Sequence, residues 1–241
     1  MKPMQELKLV VCDMAGTTVT DNHEVEMCFS ISARKSGLDI TDDEILSVQG
    51  WSKRHVFETF WERQIGGRTD EWNHQVDASY ALFRNILEEH YLHHPITPTE
   101  GCLDLFSFLH EKGVTIALTT GFYRKVVDII LGKLGWMRDG IVDISIASDE
   151  VAKGRPEPDM IRKAMDIAGI KDRKAVINIG DTPSDIQSGK NAGVLYSCCV
   201  TNGTHSAEQL DPFSADLTFG SMAAFRQYLE KHLRESTPIV L

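Results

Sequence analysis

The sequence predicts an α/β protein whose parallel sheet carries covering helices and is interrupted early by an inserted helical unit. Three observations lead there. Short β-rich runs at 7–12, 114–118, 143–147, 175–179 and 194–200 alternate with helical periodicity, as in a sheet built from strand–helix–strand units. About a hundred residues separate the first run from the second, which leaves room for a whole subdomain. The length, 241 residues, suits two lobes or one decorated core.

In chain order, Leu7, Leu9, Val10, Val11 and Cys12 form a buried-strand pattern, and Asp13-Met14-Ala15-Gly16-Thr17-Thr18 is the loop at its end. Residues 22–94 read as helices, with a capping-box pattern at Thr41 and Glu44 and helical apolar spacing at Phe57, Phe60, Trp61 and Ile65. His94-Pro95-Ile96-Thr97-Pro98 marks the return to the sheet. The expected division is therefore a core of 1–20 and 96–241 and a helical cap of 21–95. Further on, Ala175–Ile179 reads as a buried strand. It turns at Gly180-Asp181-Thr182-Pro183-Ser184-Asp185 into a helix, with Pro183 suited to the first helical position.

Composition narrows the function. The formal charge is −10, from 25 basic and 35 acidic residues, and no Lys/Arg block suggests a nucleic-acid footprint. Five cysteines, an odd number without CxxC spacing, read as reduced and cytoplasmic. The N-terminus meets Glu6 and Lys8 before any long apolar run, so neither a signal peptide nor a membrane span is expected. Small molecules are the expected partners.

The chemistry concentrates at strand ends. In an open α/β sheet ligands bind beyond the carboxyl ends of the strands, where a carboxylate such as Asp13 can attack phosphorus or hold a divalent metal. Ala15, two places on, leaves that loop without a second carboxylate to protonate an oxygen leaving group. Asp181 and Asp185 come from a strand end and the first helical turn, close enough to share one hard cation; as an isolated pair they also fit helix capping. Thr119-Thr120-Gly121 alone also fits a strand-end turn. Arg155, in Lys153-Gly154-Arg155-Pro156, offers a planar fork that holds phosphoryl oxygens with two donors. Lys153 reads as its solvated neighbour. Lys53, opening a helix in Gln49-Gly50-Trp51-Ser52-Lys53-Arg54-His55, fits a solvated residue as well as a catalyst. Trp51, Trp61 and Trp72 read as packing between cap helices, with Trp51 also placed to face a substrate.

These segments, in this order and across nearly the full length, resemble the haloacid dehalogenase superfamily; the Asp-x-Ala-Gly-Thr version of its first motif resembles the phosphonatase branch. The resemblance implies a Rossmann-like, doubly wound parallel core with a C1-type helical cap inserted after the nucleophile strand. It implies Asp13 as nucleophile through an aspartyl-phosphate, Thr120 and Arg155 on the phosphoryl oxygens, and Lys53 as a Schiff-base lysine. Thr17, Gly121, Gly50, Trp51 and His55 are then expected around the substrate. Magnesium is expected on Asp13, the Ala15 carbonyl and Asp181, with Asp185 a ligand or one shell out, a hard oxygen set suited to that ion. The substrate would be a small phosphonate such as phosphonoacetaldehyde, and a homodimer through the cap is plausible within the branch. Near Lys53 the chain departs from it: Gln49 stands for a Met, His55 falls one residue early, and Phe122 replaces a Tyr. Two other readings stay open: a phosphomonoesterase or phosphomutase on a small phosphorylated metabolite, with substrate, water or His55 supplying the acid, and a noncatalytic aspartyl-phosphate sensor.

Overall fold

The computed structural model describes residues 7–234, and the side chains within them up to Leu233. Strand β1 (Leu9–Asp13) precedes four helices, α1 (Glu24–Ser36), α2 (Asp42–Ser47), α3 (Lys53–Ile65) and α4 (Asp70–His93). The chain continues through α5 (Cys102–Glu111), β2 (Thr115–Thr119), α6 (Arg124–Leu134), β3 (Ile144–Ile146) and α7 (Asp159–Ile167). It ends with β4 (Val176–Gly180), α8 (Pro183–Ala192), β5 (Tyr196–Val200), α9 (Ala207–Leu210), β6 (Leu217–Phe219) and α10 (Met222–Arg234).

All strand pairs are parallel and the order is β3-β2-β1-β4-β5-β6, the doubly wound arrangement expected. Strand alternation divides β1 between two apolar layers. Val10 and Cys12 join the layer of α5, α6 and α10, while Leu9 and Val11 join that of α7. Burial on both faces is why these strands read as continuous apolar runs. The strand order reverses between β1 and β4, so the ligand crevice of such a sheet falls at the ends of those two strands.

The chain leaves the sheet along Thr18–Thr20 and returns along Thr97–Thr99, and the two segments are paired: Thr20 donates to the Thr97 carbonyl at 2.9 Å and Thr99 to that of Thr18 at 3.0 Å. Between them the helices pack on one another through Phe29, Phe57 and Phe83, with Phe29 and Phe57 stacked at 4.4 Å. Thr41 and Glu44 form the expected capping box on α2. Trp61 donates to Ser79 at 2.7 Å and Trp72 to the Glu58 carbonyl at 3.0 Å, so both indoles are satisfied within the helical unit. The five cysteines are free and buried. Among the described residues, no helix is long and apolar enough to cross a membrane.

Candidate active site

Asp13 ends β1 and is buried. The tight turn after it, in which the amides of Thr18 and Val19 both reach the Met14 carbonyl at 2.9 and 2.8 Å, aims Thr17 at the next strand, where its hydroxyl donates to Asp181 Oδ1 at 2.9 Å. Asp181 follows β4. Its other oxygen accepts from the Thr204 amide and hydroxyl at 2.7 and 2.8 Å. Asp185 sits in the first turn of α8, where Pro183 takes the first position and Thr182 and Asp185 form a capping box. Capping and a place in the cluster are thus compatible, because capping uses only Asp185 Oδ2.

Asp13, Asp181 and Asp185 each present an oxygen within 4.8 Å of the others. Arg155, also buried, pairs with Asp13 through Nη1, which lies 2.9 Å from Asp185 Oδ1. Its Nη2 donates to the Thr119 carbonyl at 2.8 Å and hydroxyl at 2.6 Å. One guanidinium faces three carboxylates, and two of them, Asp13 and Asp181, are shifted upward. Burial pushes Asp13 well above the usual carboxylate range against the pull of Arg155, and Asp185 and Asp181 push the same way. Burial and Asp185 push Asp181 up to about 6. Asp185 Oδ1, despite the nearby Nη1, accepts no hydrogen bond. An all-oxygen donor set with excess negative charge and an unused buried oxygen fits a hard divalent cation.

A pocket of about 310 Å³ opens on Asp13 and is lined by Ala15, Asp21, Gln49, Gly50, Lys53, Thr120, Gly121 and Thr204 among others. Lys53, the first residue of α3, is buried, and its Nζ has Gln49 Oε1 at 3.4 Å. Burial pulls its pKa down to about 8 against the opposing fields of Asp21 and Asp13. Thr120, not Thr119, lines the pocket; its hydroxyl accepts from the Phe122 amide at 3.2 Å.

The helical unit reaches the sheet edge through the Gln49–Ser52 loop. Ser184 donates to the Gln49 carbonyl at 3.1 Å. Gly50 has φ +80°, and a Cβ there would run into the hydroxyls of Thr182 and Ser184. A Cβ on Gly121 would run into the carbonyls of Trp51 and Gly50. The close approach that brings Lys53 to Asp13 needs both glycines.

Three expected substrate contacts lie elsewhere. Thr17 serves Asp181 and does not line the pocket. His55 is two residues beyond Lys53 on the same helix, about 200° round its axis, and faces a separate groove of about 1880 Å³. There it stacks on Trp51 at 5.5 Å and approaches Glu58. The Trp51 side chain lines that groove too, and only its backbone carbonyl abuts Gly121. His55 therefore does not line the pocket on Asp13, although Arg155, which pairs with Asp13, lines the groove that His55 faces. Lys153 is exposed at the rim of the groove.

Sequence reasoning missed Asp21, Gln49 as a contact of Lys53, and Thr204. Thr204 left a usable signal, since it follows a predicted strand at the same carboxyl edge. Asp21 reads in sequence as a helix-start residue.

At its switch point the doubly wound sheet bears a carboxylate cluster, an arginine and a buried lysine, the kind of strand-end site an α/β enzyme uses. The family model for haloacid dehalogenase-like hydrolases matches residues 7–193, and the chain belongs to that family. It is 31% identical over 224 residues to the phosphonoacetaldehyde hydrolase of Bacillus cereus (strain AH187), covering 86% of this chain and 83% of that protein. Among solved structures, a phosphonoacetaldehyde hydrolase-like protein from Oleispira antarctica superposes with TM-score 0.77 at 17% identity, covering 96% of this chain and 94% of the other. A beta-phosphoglucomutase from Clostridium difficile gives 0.75 at 16% identity, covering 95% and 98%. At those identities the structural likeness speaks for the fold.

Proposed function

We propose that this hydrolase cleaves the carbon–phosphorus bond of a small phosphonate with a neighbouring aldehyde, such as phosphonoacetaldehyde. The observation that carries the reading is one pocket holding both a buried, low-pKa amine, Lys53, and the Asp13 carboxylate, with Ala15 where an oxygen-protonating acid would stand. The 31% identity to the Bacillus cereus enzyme supports the same substrate class.

In this reading residues 21–95 form a cap over a core of 1–20 and 96–241. Lys53 Nζ condenses with the aldehyde, and the iminium accepts the electron pair of the breaking C–P bond, so carbon leaves as an enamine. Asp13 attacks phosphorus in line and becomes an aspartyl-phosphate, which water hydrolyses. Arg155 and the Thr120 hydroxyl hold charge on the transferring oxygens. The cation assigned to Asp13, the Ala15 carbonyl, Asp181 and Asp185 is magnesium, and when bound it offsets repulsion between Asp13 and an anionic substrate. Thr17 and Thr204 hold Asp181 in place. With a carbon leaving group no oxygen needs protonation, which accounts for Ala15.

The test is phosphate release from phosphonoacetaldehyde beside a panel of phosphate esters, with borohydride trapping in parallel. Turnover of the aldehyde with an adduct mapped to Lys53, lost in Lys53→Arg, is expected; arginine keeps the charge but forms no iminium. Efficient ester hydrolysis without an adduct would transfer the assignment to a phosphomonoesterase or phosphomutase. A long-lived aspartyl-phosphate without turnover would indicate a sensor.

A further inference from the structure

Asp21 stands between the Asp13 loop and α1 and lines the same pocket as Asp13 and Lys53. Its Oδ1 accepts from the Glu24 amide at 2.9 Å, which fixes the carboxyl at the helix entrance. Lys53, for its part, forms no ion pair among the described residues and has only the long contact to Gln49. Asp21 contributes the largest of the carboxylate fields acting on that amine. The groups facing Asp21 are Glu24 and Cys28 of α1, Lys53 of α3, Tyr91 of α4 and Asp181 beyond β4. Burial, followed by the hydrogen bond with the Glu24 side chain, pushes its pKa up to about 8 against the opposing bond from the Glu24 amide, a shift that favours the protonated acid.

We propose that Asp21 is the proton donor of this pocket, protonating the oxygen that departs as water when Lys53 condenses with the substrate aldehyde. The inference rests on the phosphonatase reading above. Lys53 Nζ bonds to the carbonyl carbon, the π pair moves to oxygen, and a proton passes from nitrogen to that oxygen to give a neutral carbinolamine. The C–O bond then breaks as the oxygen takes the Asp21 proton and leaves as water, while the nitrogen lone pair closes the iminium. Asp21 is left as a carboxylate near the new cation, which stabilises it. The enamine carbon takes the proton released as water hydrolyses the aspartyl-phosphate, and hydrolysis of the resulting iminium returns a proton to Asp21. Thus the family's carboxylate at position 15 is absent, and the acid stands instead near the amine whose chemistry needs one.

The experiment measures borohydride-trapped adduct at Lys53 against time and pH, using the full chain with phosphonoacetaldehyde. Asp21→Asn and Asp21→Ser both keep an oxygen for the Glu24 amide, so melting temperature should stay near that of the parent and either variant can serve if the other misfolds. Trapping should slow roughly 100-fold, the usual scale of a lost general acid. The decline of the parent's rate at pH above about 8, where Asp21 loses its proton, should vanish. Asp21→Glu should recover part of the rate. If the parent traps aldehyde and folded Asp21→Asn or Asp21→Ser traps it at the same rate and with the same pH profile, Asp21 is a helix cap only; the inference is overturned while the phosphonatase reading stands. A parent that forms no adduct overturns both.

Discussion

Gly121→Ala isolates the contact that joins the two halves of the site. Gly121 has no left-handed φ, so the backbone tolerates alanine. The new methyl would sit 2.9 Å from the Gly50 carbonyl oxygen and closer still to that of Trp51, where a carbon–oxygen contact relaxes to about 3.3 Å or more. The Gly50–Trp51 loop must therefore retreat by roughly half to one ångström, and Lys53 follows two residues later. A displacement of about 1 Å from catalytic geometry costs on the order of 100-fold in rate, while overpacking of this kind costs about 1–3 kcal/mol of stability. Phosphate release from phosphonoacetaldehyde should accordingly show kcat down by about 100-fold in a variant that still melts cooperatively, about 2–12 °C lower. Gly132→Ala in α6, where an added methyl meets nothing within 4 Å, is the matched control and should be neutral or slightly stabilising. A Gly121→Ala enzyme with kcat within about threefold of the parent would refute the claim that this contact sets the position of Lys53.

Asp13→Asn should keep the fold and lose turnover by about 10⁴ or more, the scale of a removed nucleophile; substantial activity in protein free of contaminating phosphatase would rule out covalent catalysis. Asp181→Ala should weaken magnesium binding in titration calorimetry, whereas Asp185→Asn should be milder if that residue acts one shell out; unchanged affinity in Asp181→Ala would remove the metal assignment. Because burial lowers Lys53 to about 8, its free-amine fraction grows as pH rises toward that value, so trapping should climb about tenfold per pH unit on the acid side; a flat profile there would contradict a buried amine. Ala15→Asp should raise activity on phosphate esters relative to phosphonoacetaldehyde, and ester activity that is high in the parent and unchanged in the variant would count against the reading of Ala15.

Strands β1, β2, β4 and β5 were legible because two-sided burial writes them as unbroken apolar runs, with ends displaced by one or two residues. The sixth strand escaped notice. Leu217-Thr218-Phe219 lies at the sheet edge, only partly buried, and three residues are too few to establish a period. The cluster of Asp13, Asp181 and Asp185 was legible because each follows a strand end that itself was legible, so the sheet places them. Direction around a helix was harder. The loop pattern near Lys53 drew attention to Trp51 and His55, yet the i, i+2 spacing turns His55 away from Lys53 and into the other groove. Asp21 was hidden for a related reason: a helix-entry aspartate looks the same in sequence whether it faces water or a pocket, and only the packing of α1 against α3 decides.

The same packing governs reactivity. Asp13, Asp181 and Arg155 are held by the sheet and the loops beyond it, whereas Lys53 arrives from the helical insertion through Gly50, Gly121 and the Ser184–Gln49 hydrogen bond. Desolvation is the foremost cause of the lowered Lys53 pKa, and both the sheet-edge loops and the insertion's own Val25, Phe29 and Val56 surround the residue. An arrangement that exposed Lys53 would return it toward its ordinary value of 10.5, cutting the free-amine fraction at neutral pH by roughly 300-fold. Gly121→Ala tests this as well. By loosening the contact it should move the acid limb of the trapping profile to higher pH as well as lowering kcat, and a limb left in place while kcat falls would show that position, rather than desolvation, is what the docked loop provides.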